Sequence, residues 1–281
     1  MVIFAFIFNK NAKLLLMITR TQILFFLLAL FIISCNTQVA KKTDERPFRL
    51  AGNGDTIYQV LDKQGKLISE ETVKKGMKNG SSWTYYPSGK VKEKVLYKDD
   101  KKQGVAEWYF EDGRVYQQTP YENGLIDGIK KKFFEGGMLA AEIPYEMGQP
   151  FLGTKEYAKD GELIQDTTTL LFYPENDVEL EGKFRLRLYL SDKSRDVFFY
   201  YYQEVDGEMS KIGIPSAYNG IGDYLITGLP KTVVPQQIRF YAEKNSSRGN
   251  PVVLSGIYDF ETAIKSGAGV GYHKSGPRRV F

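Results

Sequence analysis

The residue types that could run a reaction are scarce in this 281-residue chain and poorly placed for one. The only histidine, His273, lies among Gly267, Gly269, Gly271 and Gly276, where nothing would hold an imidazole to hydrogen-bond precision beside a nucleophile. The first three of these glycines spell half a dinucleotide fingerprint, without the strand, turn and helix that give it meaning. The only cysteine is Cys35, so neither a disulfide framework nor a Cys/His metal cluster can be assembled. Carboxylate pairs remain at Asp99-Asp100 and Glu111-Asp112, and glycoside hydrolysis needs only two carboxylates at a set separation. Both pairs fall where turns are expected, however, and acidic residues there serve turn geometry. The sequence predicts no enzyme, no metal and no cofactor.

The elements left to position side chains are strands. Tyr (19) and Phe (18) far outnumber Trp (2) and Met (6), and 27 glycines punctuate the chain, a composition that favours strands and turns over helices. With 42% apolar residues there is enough to bury for one or two folded domains. The formal charge of +4 includes Lys10, Lys13 and Arg20, and the first 34 residues hold no acid. The remainder is within one charge of neutral, and displacing counterions from phosphate needs a one-signed field. No nucleic-acid partner is expected.

Ile23 to Ser34 is a 12-residue apolar run preceded by Arg20. It is too short to span a bilayer, which takes roughly 20 residues of helix, and it reads as the apolar region of a secretory signal that could start at Met17. The run ends Ile32-Ile33-Ser34-Cys35, which resembles the processing site of a bacterial lipoprotein. The resemblance implies cleavage before Cys35, a diacylglycerol thioether on its sulfur and acylation of the new amino group. Two or three such chains make an anchor effectively permanent, at about 0.8 kcal/mol per buried methylene. Asn36, where an Asp would favour inner-membrane retention, implies the outer membrane. From Asn36 to Asn53 the chain is polar and of mixed charge, with Lys41, Lys42, Asp44, Glu45, Arg46 and Pro47, a flexible tether with too little apolar surface to fold alone.

Beyond the tether a period of 24 residues appears. Gly65, Gly89, Gly113, Gly137 and Gly161 keep that step, as do Gly80, Gly104 and Gly128, then Tyr97, Tyr121 and Tyr145, and then Tyr85, Tyr109, Phe133 and Tyr157. An aliphatic residue stands two positions after each glycine of the first series, at Leu67, Val91, Val115, Leu139 and Leu163. Aromatic runs broken by Ser-Gly, Asp-Gly or Gly-Gly are hairpin signals, and hairpins that cannot stand alone must pair edge to edge. The spacing predicts an elongated β-meander in which Tyr85, Tyr109, Phe133 and Tyr157 pack neighbouring hairpins. Lys90, Lys92, Lys94 and residues 130–132 are expected on a solvated face. The units from Trp83 to Gly104 and from Trp108 to Gly128 resemble the MORN repeat, in the bacterial variant found in YwqK-type antitoxin-like proteins. That resemblance implies a membrane-proximal, protein-binding or scaffold segment.

After Asp166 the period stops. Seven short strands are expected, at Thr168–Tyr173, Lys183–Leu190, Val197–Val205, Met209–Ile214, Asp223–Thr227, Val233–Glu243 and Val252–Phe260. Phe184, Leu186, Leu188 and Leu190 alternate with Arg185, Arg187 and Tyr189, the two-residue period of a half-buried strand. Such a set predicts a β-sandwich. Leu225-Ile226-Thr227-Gly228-Leu229-Pro230, with Ile238-Arg239-Phe240-Tyr241-Ala242 after it, resembles the later strands of a fibronectin type III or related immunoglobulin-like domain. The aromatic run Phe198 to Tyr202 is expected in a strand covered on both faces, the alternative being a ring face left open for a ligand.

The expected architecture is all-β: a signal peptide (1–34), a lipidated tether (35–53), the repeats (54–165), an immunoglobulin-like sandwich (166–264) and a flexible tail (265–281). The expected function is a non-catalytic, membrane-anchored envelope lipoprotein that presents surfaces to another envelope or extracellular protein. One alternative is a glycan-binding lipoprotein stacking sugar rings on Trp83, Tyr86 and Trp108. The other is an exported immunity or antitoxin-type partner protein.

Overall fold

The computed structural model describes residues 47–52, 54–177, 183–227 and 237–260. The expected signal peptide, Cys35, most of the tether and the tail with His273 lie outside the described residues. Among those described, the chain is built from three antiparallel sheets, and no helix is long and apolar enough to cross a membrane.

The repeats form one 14-stranded sheet. Its strands are β1 (Phe48–Leu50), β2 (Thr56–Leu61), β3 (Leu67–Lys74), β4 (Met77–Tyr85), β5 (Val91–Lys98), β6 (Lys101–Lys102), β7 (Gly104–Tyr109), β8 (Val115–Glu122), β9 (Leu125–Ile126), β10 (Gly128–Phe133), β11 (Leu139–Glu146), β12 (Gln149–Pro150), β13 (Lys155–Tyr157) and β14 (Leu163–Ile164). Spatial order follows the sequence, with β6, β9 and β12 folded back on β5, β8 and β11, so the sheet is a meander. It begins inside the segment expected to be tether, because Phe48 lies 6.1 Å from the Tyr58 ring and Arg49 lies 3.5 Å from Glu70. Phe48-Arg49-Leu50, between Pro47 and Ala51, is too short a stretch for a period to be read.

One turn recurs through the sheet. The amides of Gly65, Gly89, Gly113, Gly137 and Gly161 donate to the carbonyls of Asp62, Tyr86, Phe110, Phe134 and Ala158 over 2.8–3.0 Å. These glycines have φ between 81° and 93°, a region that a Cβ closes to other residues, so the glycine column is a backbone requirement. The β-bulges at Val60/Leu61, Thr84/Tyr85, Trp108/Tyr109 and Lys132/Phe133 accompany it. A second column joins each unit to the next: Lys75-Gly76, Asp99-Asp100, Asn123-Gly124 and Met147-Gly148 all have two successive positive φ values, the geometry of a two-residue hairpin turn. Asp100 stands where the other units have glycine. Its φ of 65° is tolerated while its carboxylate accepts the Lys78 amide at 2.7 Å.

The second module stacks two four-stranded sheets. They are built from β15 (Leu170–Asp177), β16 (Lys183–Leu190), β17 (Phe198–Val205), β18 (Glu208–Ile214), β19 (Ser216–Tyr218), β20 (Ile221–Thr227), β21 (Gln237–Asn245) and β22 (Pro251–Asp259). The orders are β15-β16-β20-β19 and β18-β17-β21-β22. Leu170 and Phe172, the alternating Phe184, Leu186, Leu188 and Leu190, and Phe199, Phe240, Tyr258 and Phe260 fill the space between the sheets. No tryptophan is needed, because the phenyl rings pack edge to face, as at Phe184–Phe260 (5.3 Å) and Tyr258–Phe260 (4.8 Å). Eight strands stand where seven were expected, since β19 is a three-residue edge strand too short to show a period.

A buried lysine ties the start of the sandwich together. Lys244 on β21 has a side chain only 8% exposed, and its Nζ lies 2.6 Å from Asp192, 2.9 Å from the Thr168 hydroxyl and 3.6 Å from Asp166. Burial acts to raise the Asp192 carboxyl, but the Lys244 ammonium and the Ser194 hydroxyl and amide outweigh it and hold Asp192 at about 2. The sandwich in turn grips the end of the repeat sheet through the β21–β22 turn. Ser246 donates to Glu156 at 2.6 Å, Lys132 donates to the Asn250 side-chain carbonyl at 2.6 Å, and Thr154 donates to the Pro251 carbonyl at 2.8 Å. The Asn250 amide also donates to Glu156. Repeats and sandwich therefore make one compact unit.

Two predictions follow from these contacts. Asp100→Ala loses the acceptor for the Lys78 amide and keeps the left-handed strain, so urea denaturation should show a loss of about 1–2 kcal/mol. Asp100→Gly trades the bond for relief of strain and should come out near the parent. For Asp192, a folded pKa of about 2 against an ordinary 3.8 means the stabilisation is present above about pH 4 and is lost as pH falls toward 2. Asp192→Asn should therefore flatten the fall in unfolding midpoint between pH 4 and 2, and at pH 7 cost about 1–3 kcal/mol.

Candidate functional site

The repeat sheet has two faces of different chemistry, fixed by strand register. One face carries a row that crosses the sheet at one side chain per strand: Glu70, Trp83, Lys94, Glu107, Gln118, Lys131, Glu142 and Lys155 stand opposite one another in turn. Opposite charges alternate through much of this row, which is how cross-strand neighbours stabilise a sheet. Lys94 lies 5.3 Å from the Trp83 ring centroid, a cation–π contact. The Tyr column leans onto the same row. Tyr85 donates to Glu70 at 3.2 Å and Tyr157 to Glu142 at 3.1 Å, each fifteen residues upstream. At the matching place for Tyr109 stands Lys94, which accepts no hydrogen bond, and Tyr109 donates instead to Glu107 at 2.7 Å. Burial first and this bond second push the Tyr109 phenol up to about 12, and the same bond lowers Glu107.

Beside the charged row, on the same face, runs an apolar one. Val105 pairs with Pro120 and Ile129 with Pro144, and the β5–β7 register carries the row on to Leu96. Leu96, Val105 and Ile129 are 43%, 52% and 50% exposed. The 24-residue period named neither this row nor its exposure, because single aliphatics among lysines on Lys92-Glu93-Lys94-Val95-Leu96 do not mark which face they take.

The other face is partly occupied by the protein itself. Here Glu93, Trp108, Gln117, Lys132, Ala141 and Glu156 form the corresponding row, and the β21–β22 turn bonds to Lys132 and Glu156 at its end. Ala141 between them is 1% exposed. Gln117 and Glu93 hold the same place in the earlier units, so the smaller side chain leaves room for the turn.

The residues expected to stack a ligand do not come together. Trp83 and Trp108 are both half-buried and project from opposite faces, since they stand opposite Lys94 and Glu93, consecutive residues of the intervening β5. Tyr86 donates its hydroxyl to the Tyr109 carbonyl at 2.6 Å and so ties one hairpin to the next. Cys35 lies outside the described residues. In the run Phe198–Tyr202, Phe199 and Tyr201 face the sandwich core. On the outer side Tyr200 stacks on Tyr241 at 5.1 Å with Lys211 4.0 Å above it, while Phe198 and Tyr202 are 49% and 38% exposed. The run is thus covered on one face and half-covered on the other, by its own neighbours.

Several of the described carboxylates have structural partners. Asp62, Asp112 and Asp160 accept backbone amides at the repeat turns, and Asp166 and Asp192 hold Lys244. Among the described residues no three of His, Cys, Asp and Glu converge as a metal site would require.

Residues 78–99 and 102–123 match the MORN repeat variant. No curated protein matches the chain. A solved structure of a mutant S. aureus TarM in complex with Fondaparinux, alpha-GlcNAc-glycerol and UDP is similar over 38% of this chain and 21% of its own, at 17% identity and a TM-score of 0.28. A likeness of that size carries no argument.

Proposed function

We propose that this chain is a non-catalytic envelope lipoprotein, anchored through Cys35, whose repeats serve as a protein-interaction scaffold. The observation that carries the reading is the exposed row of Leu96, Val105 and Ile129 across consecutive MORN-type units, on the face away from the docked β21–β22 turn. Contiguous apolar surface rimmed by charge is what a protein interface presents before it is covered. The non-catalytic reading is supported by the roles of the turn carboxylates: Asp100 accepts the Lys78 amide, Asp99 accepts from the Asn79 side chain and Asp112 accepts the Arg114 amide. The anchor rests on the lipoprotein-like Ile32-Ile33-Ser34-Cys35 alone, with the outer membrane as its proposed site.

The second module is read as immunoglobulin-like. Its orders β15-β16-β20-β19 and β18-β17-β21-β22 correspond to the A-B-E-D and C′-C-F-G sheets of that architecture. Glycan stacking on Trp83, Tyr86 and Trp108 is not favoured, since the two indoles face opposite ways.

In cells cross-linked before detergent extraction, the parent should bring down a protein partner that Leu96→Glu with Ile129→Glu does not. Both sites are exposed, so each change should alter stability by no more than about 0.5 kcal/mol. Recovery of the same proteins by parent and variant would remove the apolar row from the account. Cys35→Ala should move the chain from the membrane pellet to the supernatant.

A further inference from the structure

The outer face of the first sandwich sheet carries an open groove of about 390 Å³. Its floor is formed by Tyr173, Tyr189 and Ile221, with Arg187 beside them and Lys193 and Asn219 at the rim. Tyr173 stands directly opposite Arg187 in the β15–β16 register, and Tyr189 is the next outward side chain along β16, so the two phenols are diagonal neighbours on one surface. The charged residues of the lining, Arg187 and Lys193, are both cations, and Arg187 has Asp223 opposite it on β20. Glu175 sits 3.0 Å from one nitrogen of Arg187, which orients the guanidinium fork and leaves it further donors.

The rim is built rather than draped. Ser194 donates its hydroxyl to Asp192 at 2.7 Å and its amide at 3.1 Å, and Asp192 is the carboxylate that Lys244 holds from within. Lys193 closes a turn onto the Leu190 carbonyl at 2.9 Å with a φ of 59°. Gly220 presses against this loop from the other side: a Cβ there would stand 2.2 Å from the Ser194 carbonyl oxygen. Lys193 therefore lines the groove from a backbone held by these contacts, a preorganisation that lowers the cost of binding.

We propose that this groove binds an acidic peptide segment of a partner protein, seating a bulky aliphatic or aromatic side chain on Tyr173, Tyr189 and Ile221 and placing an adjacent carboxylate between Lys193 and Arg187. The mostly carbon floor suits an apolar side chain better than a sugar, whose ring hydroxyls would meet few partners there. Tyrosine and arginine at the centre of a site are also the side chains that carry most binding energy at protein interfaces, and carboxylate recognition by arginine is short and directional. The site lies on the sandwich and goes beyond the scaffold reading, since it requires neither the anchor nor the apolar row of the repeats.

The test probes a random heptapeptide array with the detergent-solubilised full chain and measures the best binders by fluorescence anisotropy. Peptides with Asp or Glu beside Leu, Phe or Tyr should be enriched, and their affinity should fall with added salt. Lys193→Glu should weaken them by about tenfold or more through charge reversal. Lys193→Asn, which suits the left-handed backbone there, should weaken them by a smaller factor with an unchanged melting temperature. Equal binding by parent and Lys193→Glu, no preference for acidic and apolar pairs, or displacement of the peptides by oligogalacturonate would each overturn the proposal. A chain that shows the peptide preference but is found unanchored would count against the lipoprotein reading alone.

Discussion

A single backbone contact sets the dimensions of the repeat sheet: the amide of a glycine in the left-handed region reaching back to the carbonyl three residues earlier. It recurs at Gly65, Gly89, Gly113, Gly137 and Gly161 with nearly constant φ, and the bulge beside it decides which side chains of the next strand face which way. Because side chains alternate strictly along a strand, a one-residue slip at any of these turns would exchange the two faces downstream. The charged row from Glu70 to Lys155, the apolar row beside it and the site where the sandwich docks all inherit their positions from that turn.

This explains what could be read in advance. A turn that demands glycine leaves a mark at fixed spacing, so the 24-residue unit, the meander and the aromatic column were legible in the sequence. The half-buried alternation of Phe184 to Leu190 likewise announced a sandwich strand. The linking turns were harder, because Asp99-Asp100 satisfies the same geometry as Asn123-Gly124 through a side-chain bond to Lys78 instead of through glycine. Strands as short as Phe48–Leu50 and Ser216–Tyr218 have no period to detect. Pairings across distant segments, such as Lys132 with Asn250 or Lys244 with Asp192, are set by the fold as a whole and leave no local signature. The separation of the aromatics was illegible for the same reason: aromatic identity is visible in a sequence, but the opposite faces that Trp83 and Trp108 take depend on register.

The two modules solve the problem of burial differently, and the difference bears on function. The sandwich closes a phenylalanine-rich core between its sheets and leaves its outer surfaces to polar and aromatic side chains. The repeat sheet buries a narrower row, Val95, Ala106, Thr119 and Ile143, on one face, and supplements it with cross-strand pairs, tyrosine hydroxyls on carboxylates and cations over rings. Its last units are covered by the β21–β22 turn, which needs Ala141 where earlier units carry Gln117 and Glu93. The opposite face, with Leu96, Val105 and Ile129, is left for something else to meet. Among the described carboxylates, Asp100, Asp112 and Asp192 serve turns and the sandwich framework.

The proposed anchor is one acylated sulfur at Cys35, and its most direct test is the intact mass of the polypeptide extracted from cell membranes. The mass should correspond to a chain beginning at Cys35 and bearing a diacylglycerol thioether with an acylated amino terminus. A polypeptide that retains the residues before Cys35, carries a free thiol and is recovered without detergent would contradict it.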